Sequence, residues 1–244
     1  MEKMKKISIF DRLQLYPSEI AALGIAWLVI ILAFVPQALI TPILAFTFGN
    51  SFFEPEFMSR ASLMAFAIGG AFILHELGHK FAAQRFKARA AFQIDPRGLM
   101  ITALSVALGF YLLMPGAVFW SSNLSKYDNI RGRVAAAGPV VNLLLASISL
   151  GLIAIGEGAE TLSLGWIFFT FGQVSFFLNI YLGLFNMLPI WVLDGKKILT
   201  WNTTVYLTMM VMFVSLVMAG WFGFGIRFNF FIISFPPGGG IFGF

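Results

Sequence analysis

The chain has 244 residues, of which 59% are hydrophobic and 11% are charged, and its formal net charge is +5. Soluble domains are typically about 25% charged, so this composition argues against a water-soluble enzyme, a nucleic-acid-binding domain and a disordered protein. It favours a polytopic membrane protein. Because basic residues mark the cytoplasmic loops of membrane proteins, the positive charge does not indicate a nucleic-acid partner.

Five apolar runs come close to the roughly 20 residues that cross about 30 Å of hydrocarbon as a helix. They are residues 20–35 (continuing to residue 48), 61–86, 134–155, 162–188 and 203–221. A sixth run, residues 99–120, follows the turn signal Asp95-Pro96 and contains several glycines and Pro115. We expect a hairpin, a broken helix or short strands there. The predicted fold class is all-α polytopic, with five to six transmembrane helices and a small membrane-embedded hairpin or strand region.

We expect one membrane-embedded domain over residues 1–244, because no repeat, low-complexity block or long polar linker interrupts the chain. The expected parts are an N-terminal anchor (20–48), a motif-bearing core (about 61–199), a C-terminal span (203–221) and a tail without an assigned role (225–244). A cytoplasmic N-terminus leaves only Arg60 and Arg227 of the 16 Lys+Arg residues in outer segments, as the positive-inside rule requires. This orientation requires residues 99–120 to enter and leave the membrane on one face.

The second apolar run contains both histidines of the chain, in the sequence His75-Glu76-Leu77-Gly78-His79. Positions four apart share one helix face, so both imidazoles can reach one metal ion, and Glu76 could take a proton from a bound water. The alternative is a packed or pore-lining histidine pair. That alternative has to explain three ionisable side chains inside a membrane helix, where charge is costly and usually marks function.

A third metal ligand would be a carboxylate, because the chain has no cysteine and no further histidine. Once the acidic residues of the outer loops and those that precede the first span are set aside, Asp95, Asp128 and Asp194 remain on the inner side. We favour Asp194, which follows the apolar run 188–193 at the same inner end of the membrane as His79. The alternative role of Asp194 is a turn or helix cap before Gly195. Two histidines and one carboxylate favour one zinc ion as the cofactor.

Three motifs resemble, in this order, the site-2 protease family of intramembrane zinc metalloproteases, in a compact form without PDZ or CBS domains. They are H-E-L-G-H at 75–79, A-G-P-V-V-N at 137–142 and N-M-L-P-I-W-V-L-D-G at 186–195. The resemblance covers roughly residues 61–199. It implies His75, His79 and Asp194 as zinc ligands, Glu76 as the general base, and substrate or oxyanion contacts for Asn142 and Asn186. Either asparagine could equally serve in a hydrogen bond between helices.

The resemblance implies hydrolysis of peptide bonds in or near transmembrane segments of membrane protein substrates. The expected partners are a transmembrane protein or peptide and membrane lipid, without nucleic acid, and the oligomeric state stays open. The expected location is the cell membrane, with the active site toward the cytoplasm. The region containing residues 91–94 could present an edge strand to an unwound substrate. The alternatives are a divalent metal-ion transporter, which should show paired repeats, and a catalytically silent membrane-protein-binding relative, which the intact Glu76 disfavours.

Overall fold

A computed structural model describes residues 7–10, 13–31, 55–107, 112, 114–121, 127–190 and 192–226. The described part is mostly helical. Its helices are α1 (Pro17–Ile31), α2 (Pro55–Arg85), α3 (Pro96–Ala107), α4 (Tyr127–Gly156), α5 (Leu164–Asn186), α6 (Asp194–Trp201) and α7 (Thr203–Phe224). Its strands are β1 (Ile7–Phe10), β2 (Leu13–Leu15), β3 (Arg89–Ile94) and β4 (Gly116–Ser121). Most of the predicted anchor (32–48) and of the tail (227–244) lies outside the described residues.

Three of the described helices are long and apolar enough to cross a bilayer. They comprise Asn129–Gly156, Leu164–Asn186 and Thr203–Phe224, and they correspond to the predicted runs 134–155, 162–188 and 203–221. The larger number of five to six transmembrane helices stays a prediction. Helix α1 is apolar but shorter over its described length.

Helix α5 is the most buried of the three candidate spanning helices, and it packs against α2, α4 and α7. Small residues permit close approach of apolar helices. At Gly172 an added Cβ would meet the Ser149 carbonyl oxygen of α4 at 2.9 Å, so the two backbones lie almost in contact. Phe176 and Ile180 of α5 are fully buried in a cluster that also contains Phe213 of α7. This packing gives α2 and α4 a fixed position relative to α5.

Strands β3 and β4 form a two-stranded antiparallel sheet, with a register that runs from Arg89 opposite Ser121 to Ile94 opposite Gly116. Helix α3 lies between the two strands in sequence, so they are not joined by a tight turn. Asp95 Oδ1 accepts a hydrogen bond from Arg97 N at 3.0 Å, and Pro96 occupies the first helical position, which suits a helix start. The run 99–120 thus contains a helix and a strand. Its location inside a bilayer stays a prediction.

The β3–β4 sheet packs against the middle and the C-terminal half of α2. The Phe92 ring of β3 meets the Phe72 ring of α2 edge to face, with centroids 6.0 Å apart. Phe92 and Phe72 belong to the buried cluster that also joins α1, α2 and α5. One face of the sheet is therefore held over the helix that contains both histidines.

Candidate metal centre

The two histidines lie one turn apart on α2 and point their rings toward the same space. Their Nε2 atoms are 3.0 Å apart, and the ring planes are nearly perpendicular at 86°. Both side chains are buried. The helical spacing predicted from the sequence therefore places two imidazole nitrogens at one point.

Asp194 reaches the histidines from the first turn of α6. Its Oδ2 atom is 2.9 Å from His79 Nε2 and 3.5 Å from His75 Nε2. The N-cap of α6 is Leu193, so Asp194 is the first residue of the helix and is not its capping residue, and its carboxylate faces the imidazoles. A Cβ on Gly195 would meet Leu188 O at 2.8 Å, so the start of α6 lies directly against the chain that leaves α5.

His75, His79 and Asp194 form a buried group, here called the metal group, whose ligand atoms all lie within 4.8 Å of one another. Within the described ranges, no other such group of His, Asp or Glu side chains is found. Four ligands at about 2.0–2.1 Å from a tetrahedral zinc ion lie about 3.3 Å from one another. The observed separations of 2.9, 3.0 and 3.5 Å match that spacing. Two nitrogens and one carboxylate oxygen are also ligands that zinc accepts.

Space for an ion beside these nitrogens depends on Gly138 of α4. A Cβ at this position would approach His79 Cε1 to 2.6 Å and His75 Cε1 to 2.7 Å, and His79 Nε2 more closely still. Gly138 therefore leaves open the space that faces both rings. Neither Gly138 nor Pro139 has an expected chemical role from the sequence, and only the packing of α4 against α2 reveals the position of Gly138.

Hydrogen bonds to the outer nitrogens set the orientation of both rings. His79 Nδ1 donates to the Val134 carbonyl oxygen at 2.8 Å, and His75 Nδ1 lies 2.5 Å from Asn142 Oδ1. Because these partners are acceptors, each Nδ1 carries the proton and each Nε2 offers its lone pair to the site. Such outer contacts orient histidine ligands and raise their basicity.

The contact to His75 continues into a buried chain of amides between α4 and α5. Asn142 Nδ2 donates to Asn179 Oδ1 at 2.8 Å, and Asn179 Nδ2 donates to the Ser175 carbonyl oxygen at 2.8 Å. Asn142 and Asn179 are both fully buried. Asn179 is missing from the sequence-predicted site, although an amide in the middle of an apolar helix is a signal for such a contact.

The two sequence-predicted asparagines occupy different positions. Asn142 lies behind His75 and is absent from the wall of the cavity at the metal group, whereas Asn186 lines that cavity. Asn186 Nδ2 donates to Leu182 O at 3.0 Å within α5. Of the two, Asn186 alone borders the open space beside His75, His79 and Asp194.

Glu76 lies in the same cavity, between the metal group and the sheet. The cavity has a volume of about 450 Å³ and is lined by the three metal-group residues, Glu76, Asn186 and much of β4. Glu76 Oε2 accepts a hydrogen bond from the Val118 backbone N–H of β4 at 3.0 Å. The carboxylate is therefore held beside the histidines by a strand that is distant in the sequence.

The charge of Asp194 is stabilised by its neighbours. Asp194 lies in α6, outside the three candidate spanning helices, and Lys197 Nζ is 3.0 Å from its Oδ1. Burial favours the neutral acid, but the interactions with the His79 and His75 imidazoles and with the Lys197 ammonium outweigh burial and keep the pKa of Asp194 well below its usual value. The ionised carboxylate is the form that binds a metal ion.

Comparison with known proteins gives one family. The family model described as Peptidase family M50 matches residues 63–163 and 149–219, together more than half of the chain. The chain is 35% identical over 142 residues to "Putative zinc metalloprotease MJ0611" of Methanocaldococcus jannaschii, covering 57% of this chain and 70% of that protein. It is 33% identical over 147 residues to "Putative zinc metalloprotease YwhC" of Bacillus subtilis, covering 52% of this chain and 63% of that protein. No solved structure matches the chain.

All three sequence motifs, at 75–79, 137–142 and 186–195, lie inside the matched residues. The match and the names of the relatives support a metalloprotease, and the relatives' names specify zinc. His75, His79 and Asp194 form the group that could hold this ion. The chain therefore belongs to peptidase family M50, the site-2 protease family.

Proposed function

We propose that this protein is a zinc-dependent endopeptidase that hydrolyses peptide bonds in or near the transmembrane segments of membrane protein substrates. One observation carries the proposal. Three metal-ligating side chains from α2 and α6 converge in a cavity whose wall also contains a carboxylate, Glu76. Catalytic zinc sites have this composition, with three protein ligands and an open fourth position.

In this proposal His75, His79 and Asp194 hold one zinc ion. A zinc ion bound there polarises a carbonyl oxygen and acidifies a water. Glu76 would accept a proton from a water at this site and pass it to the leaving amine, since Glu76 adjoins His75 on α2, lines the cavity and is not a member of the metal group. The hydrogen bond from Val118 N–H keeps the Glu76 carboxylate turned toward the cavity.

The two asparagines have different proposed roles. The contact with His75 supports Asn142 as a residue that positions a zinc ligand, with Asn179 holding the Asn142 amide in the correct orientation. The cavity-facing position of Asn186 supports a contact with substrate or with the oxyanion. An uncharged amide can donate to a developing negative charge there.

The surface of the bundle supports residence in a bilayer. Large apolar side chains on α4 and α7 are exposed, including Leu144, Ile148 and Val211, and Phe222 is 81% exposed. Many large apolar side chains exposed in this way are unfavourable in water and favourable in contact with lipid. We place the N-terminus and the metal group toward the cytoplasm, because the basic residues Lys196 and Lys197 follow Asp194 within one helical turn.

Substrate binding is proposed along β4. One outward N–H is engaged on each edge of the sheet, since Phe92 N–H donates to Glu19 at 2.9 Å and Val118 N–H donates to Glu76 at 3.0 Å. The β4 strand is favoured because it lines the cavity that contains Glu76 and the metal group. An extended peptide that pairs with β4 would therefore bring its backbone carbonyls toward the site. A helical substrate has to unwind first, because its carbonyls are engaged in its own hydrogen bonds.

The test uses full-length protein in detergent with a transmembrane peptide as substrate. We expect one zinc per chain, cleavage of the peptide, and loss of cleavage with a chelator. Glu76→Gln should retain zinc and abolish turnover, while Glu157→Gln, the same change on an exposed loop residue, should leave both unchanged. Full activity of Glu76→Gln would end the mechanism. Zinc transport into liposomes without peptide cleavage would favour the transporter alternative.

A further inference from the structure

Glu19 and Lys80 form an ion pair in the interior of the protein. Lys80 Nζ donates to Glu19 Oε1, and both residues are buried, with Lys80 0% exposed and Glu19 3% exposed. From the sequence, Lys80 counts among the cations of the cytoplasmic face, and Glu19 merely precedes the first apolar run. A buried ion pair often contributes no more stability than apolar residues of similar volume. The consequence of this pair therefore lies in the geometry that it imposes.

The Glu19 carboxylate joins three segments of the chain. Its Oε2 accepts from Tyr16 N at 2.8 Å, the contact that a glutamate in the first helical turn makes with the capping residue. Its Oε1 accepts from Lys80 of α2 and also from the Phe92 N–H of β3, the latter at 2.9 Å. Glu19 thus connects the start of α1, the histidine-bearing helix and the sheet.

The contact to Phe92 extends across the sheet to Glu76. Phe92 is the cross-strand partner of Val118, and the Val118 N–H donates to Glu76. Two opposed residues whose N–H groups both point outward form a non-hydrogen-bonded pair of an antiparallel ladder. A continuous line of contacts therefore runs from Glu19, through this pair, to the carboxylate in the metal cavity.

Helix α2 holds the sheet at two points one turn apart. Glu76 and Lys80 share one face of α2, because they are four residues apart. Glu76 contacts the β4 edge directly, and Lys80 contacts the β3 edge through Glu19. Sliding of the sheet along α2 would break at least one of these contacts.

We propose that Glu19 is a positioning residue: as the buried acceptor of the Phe92 N–H, it holds β3 at the start of α1 and thereby keeps the β4 edge in place beside Glu76 and the metal group. The proposal rests on the proposed function. Glu19 itself contacts no reacting atom and acts through the sheet. Without an acceptor for the Phe92 N–H, the β4 edge shifts, and a displacement of about 1 Å at a reacting centre can cost on the order of 100-fold in rate.

Two double variants test this role while removing both buried charges together. In Glu19→Gln with Lys80→Met, the amide oxygen can still accept from the Phe92 N–H. In Glu19→Met with Lys80→Met, the volume is similar but the acceptor is gone. We expect both double variants to bind one zinc per chain. The kcat/KM of the first should stay within about threefold of wild type, and that of the second should fall about tenfold or more. Equal cleavage by the two variants would overturn the proposal.

A second measurement is independent of activity. Glu19→Asp keeps the charge but withdraws the carboxylate by about 1.5 Å, one carbon–carbon bond. We expect amide exchange in β3 and β4 to rise about tenfold or more, with exchange in α5 unchanged. Unchanged exchange in the sheet would overturn the proposal even if a double variant failed to accumulate. If wild-type protein does not cleave the peptide, the proposed function fails, and the exchange measurement still decides the positioning role.

Discussion

Gly138 on α4 faces the metal-binding side of His79 on α2, so closely that a Cβ would lie 2.6 Å from His79 Cε1. The ring cannot yield easily, because its Nδ1 is bonded to the Val134 carbonyl oxygen. The absence of a side chain at Gly138 is therefore a condition for the metal group.

We expect Gly138→Ala to lose zinc binding, because the methyl group would occupy the space beside both imidazoles. The measurement is zinc per chain after exhaustive dialysis, with chelator competition for the affinity. Gly151→Ala is the matched control, since it lies on the same helix and an added Cβ would meet nothing within 4 Å. Alanine favours a helix over glycine by about 1 kcal/mol, so the control should be stable. Normal zinc binding by Gly138→Ala would contradict the placement of the ion.

The amide chain behind His75 gives a second prediction. Asn142→Ala removes the acceptor that holds the His75 Nδ1 proton, so zinc affinity should fall about 10- to 100-fold. Asn179→Ala should lower the affinity less, because it acts on His75 only through Asn142. Ser147→Ala is the control, since the Ser147 hydroxyl donates to Leu143 O within its own helix. An Asn142→Ala variant with wild-type affinity would remove Asn142 from the site.

The third ligand is tested by Asp194→Asn. The change removes the charge that faces both imidazoles but keeps the size of the side chain, so we expect loss of bound zinc without loss of the folded state. Asp95→Asn should retain zinc, because Asp95 lines the cavity but does not belong to the metal group, and an asparagine oxygen can still accept from Arg97 N. Zinc content by mass spectrometry and thermal unfolding in detergent give the two readouts. Loss of zinc from the Asp95 variant alone would reverse the ligand assignment.

A proline at Val118 tests the edge of β4. The Val118 N–H points away from β3 and toward Glu76, so Val118→Pro removes this donor without removing a hydrogen bond of the sheet. We expect zinc to be retained and cleavage of a transmembrane peptide to fall at least about tenfold, because the loss of one positioning donor can cost this much or more. Val118→Ala keeps the amide and should retain cleavage. Equal rates for both variants would exclude a role for this amide.

The members of the metal group could be predicted from the sequence, because few side chains of the chain could act as metal ligands. Helical geometry places residues four apart on one face, and the chain offers no cysteine and no third histidine as further ligands. The structure brings His75, His79 and Asp194 together as this reasoning expects. The same reasoning did not find Gly138 or Asn179, whose roles depend on how α4 and α5 are rotated against α2.

The secondary structure and strand pairing of the run 99–120 could not be predicted from the sequence. Turn signals at Asp95-Pro96 indicated an interruption of the helix, but several outcomes fitted the run 99–120 equally well. The structure contains α3 and β4 there, with β4 paired to β3 across α3. The pairing joins distant segments, so local propensity does not specify it. The burial of Lys80 was missed for the same reason, since its partner Glu19 is 61 residues away.

The sequence alone determined the class of molecule and the ligands available for a metal ion. Both follow from composition and from short-range helical spacing, which depend on covalent geometry and on the low solubility of apolar residues in water. Only the tertiary structure decided which backbone faces the ligands, which amides orient them and which strand edge borders Glu76. These contacts depend on packing between distant segments. A rotation of one helix, or a shift of one residue in strand register, would place different residues at each contact.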